Sequence, residues 1–130
     1  MAVRGTILVI EDDEDIAELL ANRLRRQGFN LVFANDGKKG LDQTRSSRPD
    51  LIILDLMLPL VPGEVICKEI REDADPRISG IPMIMLTAKG SHMDKMIGQA
   101  IGANVYIHKP FDADDLISEI NRLLEKTAGR

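Results

Sequence analysis

The stretch "LIILDLMLPL" at residues 51–60 decides how the chain is read. Four apolar residues, Leu51 to Leu54, run without alternation into Asp55, and apolar residues follow as far as Leu60. A strand covered on one face alternates apolar and polar residues. A strand covered on both faces does not, and such strands belong to parallel sheets sandwiched between helices. A lone carboxylate at the end of a buried strand costs several kcal/mol unless something pairs with it. Asp55 therefore raises two questions: what buries its strand, and what keeps it company.

Working outward, similar short runs recur at "TILVI" (6–10), "LVFA" (31–34), "MIMLT" (83–87) and "VYI" (105–107). The stretches between them carry helical spacing. Ile16, Leu19, Leu20 and Leu24 repeat at three to four residues, as do Met93, Met96, Ile97, Ala100 and Ile101. Leu116, Ile117, Ile120, Leu123 and Leu124 form the last stripe. Val65, Ile66 and Ile70 form a weaker one, and Leu41 with Thr44 the weakest. Asp13, Asp36, Ser91 and Asp112 stand where N-caps belong, with Asp112 and Asp115 resembling a capping box. Gly28 and Gly102 fall where helices should stop, and "RPD" (48–50) and "GIP" (80–82) break the chain just before strands. The order is (βα) five times over, an α/β fold with an open parallel sheet and helices on both faces.

Composition narrows the function. With 130 residues and 44% hydrophobic content, the chain makes one domain, with a core at about residues 5–125 and a tail or linker start at 126–130. Its apolar runs are too short to span a membrane, and no signal peptide is visible at the start. Cys67 is the single cysteine, which fits a reducing cytoplasm and packs as a small apolar residue. The net charge of −4 and the absence of Trp argue against nucleic-acid binding by this domain. Arg23, Arg25 and Arg26 read as a solvated helix face, and His92 and His108 as surface residues.

In such folds ligands bind beyond the carboxyl ends of the strands. There the sequence puts Glu11, Asp12 and Asp13 after the first strand and Asp55 at the end of the third. Thr87 and Ala88 follow the fourth, and Lys109 with Pro110 the fifth. Three carboxylates roughly 5 Å apart repel by about 3 kcal/mol per pair at an effective dielectric near 20. A divalent cation removes that cost, and oxygen-only ligands point to Mg²⁺ or Mn²⁺ rather than zinc. Glu11, Asp12 and Asp55 supply three negative charges; Mg²⁺ with Lys109 supplies three positive ones. A neutral pocket of this kind, with a hydroxyl beside it, is equipped to accept a phosphoryl group, and Asp55 on the buried strand is the natural nucleophile.

The motifs "VIEDD", "LIILDLMLP", "MLTA" and "YIHKPF" together resemble the CheY-like receiver domain of bacterial two-component response regulators, over essentially the whole chain. The resemblance implies a five-stranded parallel sheet in the order 2-1-3-4-5. It implies that Asp55 is phosphorylated by a sensor histidine kinase or a histidine phosphotransfer domain, in the cytoplasm. Mg²⁺ would be held by Glu11, Asp12, Asp55 and the backbone carbonyl of Met57. Thr87, Ala88 and Lys109 would bind the phosphoryl oxygens, Lys109 sharing the catalytic role with Asp55. Thr87 and Tyr106 would form the switch, and the Lys109–Pro110 bond would be cis. The resemblance further implies that the domain would promote only its own phosphorylation and dephosphorylation. Its output surface would comprise the fourth helical stretch (91–101), the fifth strand and the last helix, used by an output domain or protein or by a homodimer formed on phosphorylation.

Some positions depart from the winged-helix transcription-factor subfamily. Asn104 and Val105 stand where two acidic residues are usual, Glu119 where a basic one is, and Ala100 where an acidic one is. The charged dimer surface of that subfamily is therefore mostly missing. Leu60 and Val61 occupy a loop where small or polar residues are common; a docking surface for the kinase is one reading of them, and packing against the neighbouring loop is the favoured one. Met57, two residues after Asp55, is expected to shield an acyl phosphate from water, with Lys89 flanking the same path. Two alternatives stand beside the switch. One is a receiver that binds partners without phosphorylation. The other is a Mg²⁺-dependent phosphatase with an aspartyl intermediate, which places a second acid where Met57 lies.

Overall fold

The computed structural model describes residues 4–87 and 102–128. Ala88, Lys89, the Ser91 cap, His92 and the stripe from Met93 to Ile101 lie outside the described residues. Five strands form one parallel sheet in the order β2-β1-β3-β4-β5: β1 (Thr6–Ile10), β2 (Asn30–Ala34), β3 (Leu51–Asp55), β4 (Met83–Thr87) and β5 (Val105–His108). The helices described are α1 (Glu14–Arg26), α2 (Gly37–Ser47), α3 (Gly63–Arg71), the single turn α4 (Pro76–Ser79) and α5 (Ala113–Ala128).

The unbroken apolar runs of the three central strands have the expected cause, whereas the edge strands β2 and β5 are only partly buried, with Phe33 37% exposed. β3 and β4 are buried at every position, because alternate side chains feed two cores. Ile7, Val9, Ile53, Ile84 and Leu86 point to one side, where Leu20 and Leu24 of α1 and Leu116 and Ile120 of α5 cover them. Leu8, Ile10, Ile52, Leu54, Met83 and Met85 point to the other, against Ile66, Cys67 and Ile70 of α3. Cys67 and the two methionines are thus core residues, as the sequence suggests.

Caps set the helix starts. The Asp13 carboxylate accepts from the Asp15 and Ile16 N–H groups, and Asp36 accepts from Lys39. Asp112 accepts from the Asp114 N–H. Gly28, at φ 89°, and Gly102, at φ 103°, have the left-handed backbone that suits glycine at a helix stop. The Lys109–Pro110 bond is cis.

Two expectations need correction. Leu19, placed in the α1 stripe, is 48% exposed, and Val65, placed in the α3 stripe, is 40% exposed. Each sits at the edge of its helix's buried arc, and Cys67 fills the place inside α3. The turn α4 was not anticipated either. Asp75 caps it through the Arg77 N–H and Pro76 opens it, a start signal hidden in "DADPRISG".

Candidate phosphoacceptor site

Sheet register brings the acids together. Ile10 lies opposite both Leu54 and Ala34, so the next residues, Glu11 and Asp55, meet at the carboxyl rim of neighbouring central strands. The rim is fixed by backbone bonds that continue the ladder: Glu11 N–H donates to Ala34 O (3.0 Å), Leu56 N–H to Leu86 O (2.8 Å) and Lys109 N–H to Thr87 O (2.6 Å). Glycine shapes the loop after β3. A Cβ on Gly63 would stand 2.4 Å from the Asp55 carbonyl oxygen and 2.8 Å from Leu56 Cα. Only a residue without a side chain lets α3 begin that close to the strand end.

Carboxylate oxygens of Glu11, Asp12 and Asp55 lie within 4.8 Å of one another. Glu11 and Asp55 are buried, at 4% and 3% exposed, while Asp12 is open to solvent. Lys109 answers the question of company. Its Nζ donates to Asp55 Oδ2 at 3.0 Å and to Glu11 Oε2 at 3.2 Å, from a largely buried position. The second Asp55 oxygen accepts from the Met57 N–H at 3.0 Å, and Glu11 Oε1 accepts from the Asp13 N–H at 3.1 Å.

The charges remain unbalanced. Burial, reinforced by the charge of Asp55 and a hydrogen bond to it, raises Glu11 from 4.5 to about 7, against the opposing pull of Lys109 and the Asp13 N–H. Burial alone would lower Lys109; hydrogen bonds and charges from Asp55 and Glu11 outweigh it and hold the ammonium above its usual range. With Glu11 ionised, three carboxylates and one ammonium leave two negative charges at the rim. The oxygen donor set, its spacing and that deficit fit one hard divalent cation.

The other anticipated residues are arranged around this point. Thr87 is buried at the end of β4, one strand from Asp55, and its carbonyl holds the Lys109 backbone. Met57 follows Asp55 with its side chain 69% exposed. Tyr106 is half-buried on β5, opposite Met85 of β4, and packs against the α3-side core. His108 is exposed, as expected. One feature escaped the sequence reading. A cleft of about 320 Å³ opens beside Lys109, lined by Ile16, Leu19, Pro110 and Phe111. Its only signal was an apolar residue, Leu19, at the margin of the α1 stripe.

Comparison with known proteins bears on this geometry. The family model of the response regulator receiver domain matches residues 7–121. The DNA-binding response regulator MtrA of Mycobacterium tuberculosis is 40% identical over 124 residues, 95% of this chain and 52% of that protein. The alkaline phosphatase synthesis transcriptional regulatory protein PhoP of Bacillus subtilis is 36% identical, over 93% of this chain and 49% of its own length. The chain thus spans about half the length of these relatives. Among solved structures, the receiver domain of the Francisella response regulator 1452 superposes with a TM-score of 0.88 at 31% identity, covering 95% of this chain and 99% of that one. The chemotaxis response regulator CheY4 of Vibrio cholerae gives 0.84 at 28%, covering 92% and 98%. A match that runs from β1 into α5, on a fold whose acids gather where the sheet register puts them, leaves one assignment: the chain belongs to the response regulator receiver domains of two-component systems.

Proposed function

We infer that this domain accepts a phosphoryl group on Asp55 from a histidine kinase or a histidine phosphotransfer domain, in a reaction that depends on Mg²⁺ or Mn²⁺. The observation that carries this reading is the Asp55 carboxylate, buried at the end of β3 and hydrogen-bonded at the rim by Lys109 and the Met57 N–H. Asp55 attacks phosphorus as the bond from phosphorus to the donor's imidazole nitrogen breaks, and the electron pair of that bond leaves with the imidazole. Lys109 orients the nucleophile and then pairs with a phosphoryl oxygen. The Thr87 hydroxyl and the N–H of Ala88 take others. Glu11, Asp12, Asp55 and the Met57 carbonyl would hold the cation, which when bound neutralises charge on the transferring group.

Phosphorylation replaces a carboxylate by a group of higher charge at the end of β3. Thr87 at the end of β4 turns toward it, and Tyr106 on β5 answers, biasing a two-state equilibrium of the surface around β5, α5 and residues 91–101. A groove of about 490 Å³ along β5 and the start of α5, lined in part by Tyr106, Phe111, Asp115 and Glu119, offers an output partner room. The DNA contact of the longer relatives is not carried over to these residues, whose net charge is −4.

Intact mass after incubation with acetyl phosphate tests the reading. One phosphoryl group should be added with Mg²⁺, none with chelator, and none on an Asp55→Asn variant. No adduct under any condition, and no change with beryllofluoride, would leave a domain that binds partners without phosphorylation.

A further inference from the structure

We propose that this chain pairs with a second copy of itself through the free edge of β2, antiparallel, so that the two sheets run on as one.

The edge is open and unguarded. β2 is a terminal strand of the sheet, paired with β1 alone. Asn30 N–H donates to Gly5 O at 2.9 Å and Ala34 O accepts from Glu11 N–H at 3.0 Å, so the even-numbered residues of the strand face β1. Leu31 and Phe33 therefore turn their N–H and C=O groups outward. Edge strands commonly carry a charge, a proline or a bulge that keeps other strands away. β2 reads "NLVFA", without charge or proline, and its register with β1 is unbroken from Asn30 to Ala34. Phe33 is 37% exposed and Leu31 only partly covered. Exposed apolar side chains also stand on the loop after β3: Met57, and Leu60 at 86%, which lacks the packing expected of it and found for Val61. On β2 the exposed groups form a pattern that selects its own occupant.

That occupant is another β2. Leu31 and Phe33 share the face under α1: Leu31 packs partly on the α1-side core, and the Arg25 guanidinium carbon lies 6.0 Å from the centre of the Phe33 ring. A second β2 laid antiparallel about a twofold axis at Val32 sets Leu31 opposite Phe33 of the copy, and Phe33 opposite its Leu31. Such opposed residues exchange both backbone hydrogen bonds, and their side chains meet on one face. A twofold contact closes on itself and gives a dimer, where a head-to-tail one gives a filament.

Charge fixes the same direction. α1 is acidic in its first turn, at Glu14 and Asp15, and basic in its last, at Arg23, Arg25 and Arg26. Arg23 is taken by Asp114 of α5, while Arg25 and Arg26 are exposed. The antiparallel copy brings its Arg25 and Arg26 toward Glu14. There a recess of about 380 Å³, at the carboxyl end of β2, is lined in part by Asp12, Glu14, Phe33, Asn35 and Lys39. Lys39 donates to Asn35 Oδ1 at 3.2 Å, and the two exposed carboxylates outweigh its charge. A parallel neighbour would set acid against acid. α2, on the other face, mixes Lys38, Asp42 and Arg45 along its length and favours neither direction.

Sedimentation equilibrium of the unphosphorylated chain tests this, beside the melting temperature of each variant. The wild type should form a dimer that dissociates on dilution and weakens as salt is raised. Phe33→Lys places a guard on the edge and should weaken the dimer on the order of tenfold or more, with little change in melting temperature. Arg26→Glu and Glu14→Arg should each weaken it severalfold, and the two together should restore it. A wild type that is monomeric at every concentration overturns the proposal. So does a dimer that persists in folded Phe33→Lys, because the contact then lies elsewhere, the groove along β5 and α5 included. If Phe33→Lys unfolds, the charge pair decides: restoration in the double variant upholds the twofold contact, and its absence overturns it.

Discussion

At the scale of the residue, Glu11 is where the site's electrostatics become measurable. Its carboxyl is held at about 7 in the folded chain against 4.5 when unperturbed, so the folded state binds the proton more tightly than the unfolded state. Stability from this group is fully present below the unfolded value and is lost as pH rises through the interval up to about 7. A cation needs the ionised carboxylate, so its stabilising effect runs the opposite way. The rise in melting temperature on adding millimolar Mg²⁺ should therefore be larger above that interval than below it. Differential scanning fluorimetry at about pH 5 and about pH 8 reads the difference. An equal rise at both would break the link between Glu11 and the metal, and Glu11→Gln should abolish the pH dependence. Met57 is the second residue to probe. Its exposed side chain stands two positions after the proposed nucleophile, Asp55, and shielding an acyl phosphate there from water is its expected role. Met57→Asn should speed dephosphorylation severalfold, corresponding to about 1 kcal/mol in the barrier. An unchanged decay of the phosphorylated mass would exclude shielding.

At the scale of the element, what was legible depended on whether a side chain's job showed in its own period. The runs 6–10, 51–54 and 83–87 lack alternation because β1, β3 and β4 are covered on both faces, while 31–34 and 105–107 form the edge strands β2 and β5, which are only partly buried; the structure lengthens three of the five by one residue, to Asn30, Asp55 and His108. The rim residues were legible from the same runs, since each ends one or follows it within two residues. Arg71 was not. On a helix it reads as a solvated charge, yet its guanidinium donates to Gly102 O (2.9 Å), Ser79 O (2.8 Å), Ile81 O (2.7 Å) and Asn104 Oδ1 (2.9 Å). Asn104 Oδ1 also accepts from the Met83 N–H, so one arginine on α3 ties together the starts of β4 and β5. No periodicity announces an anchor aimed at backbone carbonyls. Arg71→Ala strips partners from several part-buried acceptors at once and should cost about 2–4 kcal/mol in urea unfolding. Lysine should recover little, lacking the planar fork. A loss below about 0.5 kcal/mol, the usual range for a surface change, would show that the tie is not needed. Gly63 makes the complementary case, an element boundary set by absence of a side chain. Gly63→Ala must move the Asp55 carbonyl or the start of α3, so it should both destabilise, by about 1–3 kcal/mol, and slow phosphorylation by acetyl phosphate. Normal kinetics in that variant would mean that α3 gives way and the strand end does not.

At the scale of the whole molecule, the sheet divides the interior into two cores and the site lies on the rim they share. Ile120 of α5 packs in one core and Ile70 of α3 in the other, with the buried strands between them. Their positions on opposite sides were not legible from sequence, because a fully buried apolar run does not say which of its residues faces which helix. The register settles it: odd and even positions of β3 serve different layers. Side chains separated by a sheet share no partners, and their contributions should add within about 0.3–0.5 kcal/mol. Ile70→Val and Ile120→Val should each cost about 0.5–1.5 kcal/mol, since each removes one buried methylene. The double variant should then show the simple sum in urea unfolding. Ile66 and Ile70, one turn apart on α3 in the same core, should depart from additivity when both are shortened, because they relax into the same space. Equal coupling for both pairs would mean that the sheet transmits strain between its faces. In that case a displacement at Thr87 or Tyr106 would reach α3 as readily as α5, and the surface proposed to respond to phosphorylation of Asp55 would have to be sought on both sides of the molecule.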